Sequence, residues 1–160
     1  MQTEPQAEHH WLQKLVGEWT YAAECDMGPD QPPARPTGSE IVRSLGGLWV
    51  LCEGQGEMPG GGLANTLMTI GYDPRTRRFV GTWIGSMMVH LWLYEGTLDA
   101  AGKTLTLEAE GPSMTGDGRT ARYRDVIELK GDAERVLTSY LLGDDGEWHR
   151  FLTANYVRVT

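Results

Sequence analysis

From residue 18 onward the chain is written in short segments whose apolar side chains alternate with polar ones, each segment ended by Gly, Pro or Asp. Alternation at period two puts one set of side chains on each face of a strand, and no helix-length apolar pattern separates the segments. A parallel sheet with helical crossovers is therefore excluded, and strands joined by tight turns are left. The pattern predicts strands at Glu18–Cys25, Ser39–Leu45, Leu48–Glu57, Ala64–Tyr72, Arg78–Gly85, Val89–Leu98, Thr104–Glu110, Ala121–Lys130, Arg135–Leu142 and Trp148–Val159. Gly46-Gly47 reads as a two-residue hairpin, Asp73-Pro74-Arg75-Thr76 as a turn with Pro at its second position, and Asp117-Gly118, Asp145-Gly146 and 99–103 as further turns. Such a meander hides its edges best by closing on itself. The expected fold is all-β: an up-and-down antiparallel barrel of about ten strands, one domain over residues 1–160. A short helix, Glu8–Val16, precedes it, with Trp11, Leu12, Leu15 and Val16 on one face and Gly17 as its stop.

Charge and length narrow the partners. The net charge of −8 argues against nucleic acid or an anionic membrane surface. No apolar run approaches the roughly 18 residues that span a bilayer. The opening Met1–Gln6 is polar and acidic, unlike a secretory signal, so a cytoplasmic protein is expected, with Cys25 and Cys52 as free thiols. Gly60-Gly61-Gly62 lacks the Lys-Ser/Thr ending of a phosphate loop. His9-His10 are adjacent and diverge, and no other metal-ligand spacing exists, so no metal site is expected.

Candidate site residues gather between Trp83 and Tyr94. Alternation places Trp83 and Met87 on one strand face and His90, Trp92 and Tyr94 on a face of the next. Facing inward they would form an aromatic wall for a flat, largely apolar molecule bearing one or two polar groups. Trp and Tyr suit this, with large apolar area and a polar tip, and the chain carries six of each against two Phe. Two carboxylates share faces with apolar neighbours: Glu53 beside Trp49 and Leu51, and Asp125 beside Tyr123 and Ile127. An inward carboxylate is costly unless paired, and so points to function, but alternation does not say which face is inside.

The stretch Leu15-Val16-Gly17-Glu18-Trp19 is similar to the Gly-x-Trp opening of lipocalin-like barrels. The blocks Ser44-Leu45-Gly46-Gly47-Leu48-Trp49, Ile70-Gly71-Tyr72-Asp73-Pro74, Gly81-Thr82-Trp83-Ile84, Ser86-Met87-Met88 with His90-Leu91-Trp92, Tyr94 to Asp99 and Tyr123-Arg124-Asp125-Val126 together resemble the bacterial domain-of-unknown-function family 1579 (DUF1579). The resemblance implies a lipocalin-like barrel with a capping helix and says nothing of activity. It also implies that an Arg on the last strand stacks over the opening Trp; Arg158 and Trp19 are the candidates, with Arg150 as competitor. Some related small barrels hold haem through a His on a late strand, a role for His149 or His90, though no cofactor is otherwise indicated.

Three readings stand. In the first the lumen binds a small apolar or aromatic molecule, with Trp83, Met87, His90, Trp92, Tyr94, Glu53 and Tyr123 as its wall. In the second the protein is an acid–base enzyme, an isomerase, lyase or hydrolase, pairing His90 with Glu53 or Asp125. In the third the barrel is filled and serves as an interaction or homodimerisation module.

Overall fold

The computed structural model describes residues 3–58 and 60–159; Met1 and Gln2 of the polar opening, Pro59 and Thr160 lie outside the described residues. A helix, α1 (Ala7–Gln13), leads into ten strands: β1 (Gly17–Cys25), β2 (Thr37–Leu45), β3 (Trp49–Glu57), β4 (Leu63–Asp73), β5 (Arg78–Gly85), β6 (Trp92–Leu98), β7 (Thr104–Pro112), β8 (Thr120–Leu129), β9 (Glu134–Leu142) and β10 (Trp148–Arg158). Every strand pairs antiparallel with its sequence neighbours, and β10 returns to β1, closing the barrel through Trp19 opposite Arg158. Closure leaves no free edge to template aggregation. Among the described residues no helix is long and apolar enough to cross a membrane.

The two ends differ in kind. At one end the connections are tight: 46–48, 74–77, 99–103 and 130–133. Gly46 and Gly47 take φ of 67° and 75° at the centre of a turn closed by Leu48 N–H to Leu45 O at 3.3 Å. Trp49, not Leu48, then pairs with Leu45, so the strand starts one residue later than its apolar run suggests. Three of the five connections at the other end, 26–36, 86–91 and 113–119, are longer, and 58–62 and 143–147 match 99–103 in length.

α1 covers the tight-turn end. It is shorter than the apolar pattern predicts because Lys14, Leu15 and Val16 each donate three residues back, tightening the last turn before Gly17. His9 anchors it. Its Nδ1 accepts the Gln6 backbone N–H at 2.8 Å, so Nε2 carries the proton and donates to Tyr72 O at 3.0 Å. Trp11 Nε1 donates to Gly102 O at 2.7 Å. Beneath the helix, Leu12, Leu15, Trp19, Val42, Val50, Ile70, Phe79, Leu105 and Ile127 are almost wholly buried. This half of the barrel is packed solid.

The strand expected from Val89 begins instead at Trp92, where the β5–β6 ladder ends on the pair Trp83–Trp92. Residues 86–91 form a rim loop with Val89 fully exposed. Its apolar Met87, Val89 and Leu91 continue the alternation without continuing the strand.

Candidate functional site: the open half of the barrel

Along the inner face the helix end is packed throughout, while at the loop end buried Cys25, Ala64, Gly111 and Tyr123 stand among residues of partial exposure. Above the packed floor, the inward residues Thr66, Trp83, Trp92, Asp125, Leu137, Leu141 and Leu152 all keep partial exposure. Their outward neighbours alternate with them, so these side chains belong to the inner face.

The aromatic rings lie against the wall. A Cβ on Gly111 would overlap the Trp92 ring, and one on Gly56 would overlap the Tyr21 phenol, so both rings fold onto strand backbone that only glycine leaves bare. Trp92 meets Tyr123 edge to face at 4.9 Å between centroids and His90 at 4.8 Å, and its Nε1 donates to Met88 Sδ at 3.1 Å. Trp83 packs with Met87 over Gly85.

Asp125 is the polar centre of this half. On β8 the inward residues on either side of it, Tyr123 and Ile127, are buried, and Asp125 between them keeps partial exposure. Ser139 Oγ donates to Asp125 Oδ1 at 2.6 Å, and Tyr94 Oη donates to Oδ2. Burial pushes the Asp125 carboxyl above its ordinary pKa, and the two donated hydrogen bonds pull it part of the way back. Burial, then the adjacent Asp125 charge, hold the Tyr94 phenol well above its usual value, so it stays a donor. A carboxylate has about four lone-pair sites, and these two donors leave acceptor capacity for a third group.

The floor carries its own charge pair. Arg135 donates to Glu40, the guanidinium 4% and the carboxylate 12% exposed. The same guanidinium lies 3.9 Å from the Tyr156 ring centroid and 4.7 Å from Trp19. On the opposite side Arg158 sits 4.2 Å over Trp19 and donates to the carbonyls of Val16, Lys14 and Asp132. Trp19 thus lies between two arginines, and the sequence reading named only Arg158. Arg150, the competitor, bonds Thr153 on the exposed side.

The remaining candidates scatter. Glu53 points out of the barrel to Arg43, 2.8 Å from its Nε, because β3 turns Val50, Cys52, Gly54 and Gly56 inward. His90 stands on the rim loop with Nε2 3.2 Å from Glu110 O. The structure therefore brings together Trp83, Met87, Trp92 and Tyr123 with His90 against Trp92, and joins Tyr94 to Asp125, but links His90 to neither Glu53 nor Asp125 by a hydrogen bond or ion pair. His149, exposed at the mouth, has Nε2 held by Asp145 at 2.9 Å. Both imidazoles named for a haem thus have Nε2 in a hydrogen bond. Among the described residues no cluster of three or more His, Cys, Asp or Glu could hold a metal ion.

A broad open groove of about 760 Å³ runs over the outer face of β5 to β8, past Leu93, Glu95 and Arg122. Its charges already answer one another: Arg124 and Arg122 meet Glu108 at 2.7 and 3.8 Å, and Arg78 meets Glu95 at 3.6 Å. Solvated pairs of this kind make a weak case for a ligand site.

Comparisons with known proteins agree with this architecture. The sequence model of a family described as "Protein of unknown function (DUF1579)" matches residues 4–158. No curated protein matches the sequence. The structure of Rv2717c from M. tuberculosis aligns with a TM-score of 0.67 at 13% identity, over 98% of this chain and 100% of that one. The S-type phycobiliprotein lyase CPES from Guillardia theta aligns with a TM-score of 0.58 at 12% identity, over 98% and 99%. EF1p2_mFAP2b, solved bound to DFHBI, aligns with a TM-score of 0.52 at 14% identity, over 95% and 99%. At such identities the likeness is one of fold.

Proposed function

We propose that this chain, which belongs to the DUF1579 family, binds a small, largely apolar molecule in the open half of its barrel. The observation that carries the reading is Asp125: a partly exposed carboxylate on the inner face of the barrel, held by two donors. Trp83, Trp92 and Tyr123 supply flat apolar walls, and the packed floor of Trp19, Val42, Phe79 and Ile127 closes the far end. One polar anchor in a mostly apolar concavity is the usual composition of a small-molecule site. A barrel of the same shape was solved with the small molecule DFHBI bound, which supports the reading by analogy of fold only.

The test is titration with a neutral aromatic probe, 1-naphthylmethanol, followed by tryptophan fluorescence, with native mass spectrometry for stoichiometry. One molecule per chain is expected, and Trp92→Ala should weaken binding about tenfold. Absence of binding, or equal binding to Trp92→Ala and Trp83→Ala, would overturn the reading.

A further inference from the structure

The charges around the chamber specify its ligand further, given the lumenal binding just proposed. Among the described inward-facing charges, Glu40 and Arg135 pair with each other on the floor, and Arg158 donates to three backbone carbonyls beneath it. Asp125 has no cationic partner: its two bonds come from a neutral hydroxyl and a neutral phenol. The mouth has the same sign. The open-end loops 26–36, 86–91, 113–119 and 143–147 carry Asp26, Asp30, Asp117, Asp144, Asp145 and Glu147 against Arg35 and Arg119. Six carboxylates against two arginines put four of the chain's eight net negative charges on the rim. Such a field draws cations towards the mouth and repels anions. Inside, Trp83 and Trp92 keep partly exposed indoles, and indole rings stabilise an organic cation.

We infer that the chamber takes a flat aromatic molecule bearing one positively charged nitrogen, an ammonium or amidinium, seated on Asp125 with its rings against Trp83, Trp92 and Tyr123. The nitrogen donates to the carboxylate lone pairs that Tyr94 and Ser139 leave free. Acidic ligands are excluded, because no unpaired cation waits for them among the described lumenal residues.

Three probes on one scaffold test this: 1-naphthylmethylammonium, 1-naphthylmethanol and 1-naphthoate, titrated calorimetrically into the full chain. The expected order is ammonium, then alcohol, then carboxylate, with about tenfold or more between the first two, as a charge-assisted hydrogen bond supplies. Asp125→Asn, checked for native circular dichroism, should bring the ammonium to the level of the alcohol and leave the alcohol within about twofold. Should that variant fail to fold, the wild-type order and its compression at high salt decide alone. Naphthoate binding as tightly as the ammonium, or ammonium binding unchanged in Asp125→Asn, overturns the inference. If the alcohol binds and the ammonium binds no tighter, lumenal binding survives and the charge assignment falls. If none of the three binds, both fall.

Discussion

Replacing Arg135 by Ala should cost this barrel about 4 kcal/mol, because it strands Glu40. The two groups are 4% and 12% exposed, so solvent screens the pair little, and its partner's loss leaves a buried carboxylate without a counter-ion. Breaking a buried pair typically costs about 3–5 kcal/mol. The guanidinium also gives up its positions 3.9 Å from Tyr156 and 4.7 Å from Trp19, worth about 1 kcal/mol or more between them. In a domain this size about 4 kcal/mol lowers the melting midpoint by about 8–16 °C. Urea unfolding should show the loss as a lower midpoint with an unchanged slope. The double variant Glu40→Gln/Arg135→Met removes both charges, and should recover most of the loss, to within about 1 kcal/mol of wild type. Additive single-variant costs in the cycle, or a loss below about 1 kcal/mol for Arg135→Ala, would refute the claim that these charges answer each other. Asp125 would then no longer be distinguished as the unpaired one.

Other consequences can be checked separately. Gly111→Val places a side chain where the Trp92 ring lies, so the ring must swing into the chamber; naphthalene probe affinity should fall about tenfold, with a stability loss of about 1–3 kcal/mol in urea. Asp125 has a raised pKa in the folded state, so its contribution is fully present below the ordinary carboxylate value of about 4 and is lost as pH rises through the folded value. Asp125→Asn keeps hydrogen-bonding capacity towards Tyr94 and Ser139 without the charge, so its melting temperature should exceed wild type near neutral pH and the gain should vanish below about pH 4; a pH-independent difference would contradict this. Arg158→Ala removes the donors to Val16, Lys14 and Asp132, and should cost about 2–3 kcal/mol and speed hydrogen exchange across α1.

The strands were legible because alternation and turn residues agree along most of the chain. Legibility failed where sequence pattern and structure use the same letters for different purposes. Met87, Val89 and Leu91 continue a strand's alternation, yet belong to a rim loop. Glu53 and Asp125 both sit between apolar residues at period two, and they face opposite sides of the wall. The sign that separates them lies elsewhere: Gly56 marks the face on which Tyr21 rests, which sends Glu53 outward. The partners of Asp125 come from two other strands, with Tyr94 31 residues away and Ser139 14, so no local pattern announced the cluster. Arg135 was missed because it opens its strand directly after the charged Asp132 and Glu134; only the register that sets Arg135 against Tyr156 turns it inward.

The most direct test of the central claim is a crystal structure of the protein soaked with 1-naphthylmethylammonium. The account predicts the naphthalene against Trp92 and Tyr123 inside the barrel, with its nitrogen within hydrogen-bond distance of Asp125. A chamber filled by its own side chains, with the probe seated in the outer groove beside Leu93 and Glu95, would contradict it.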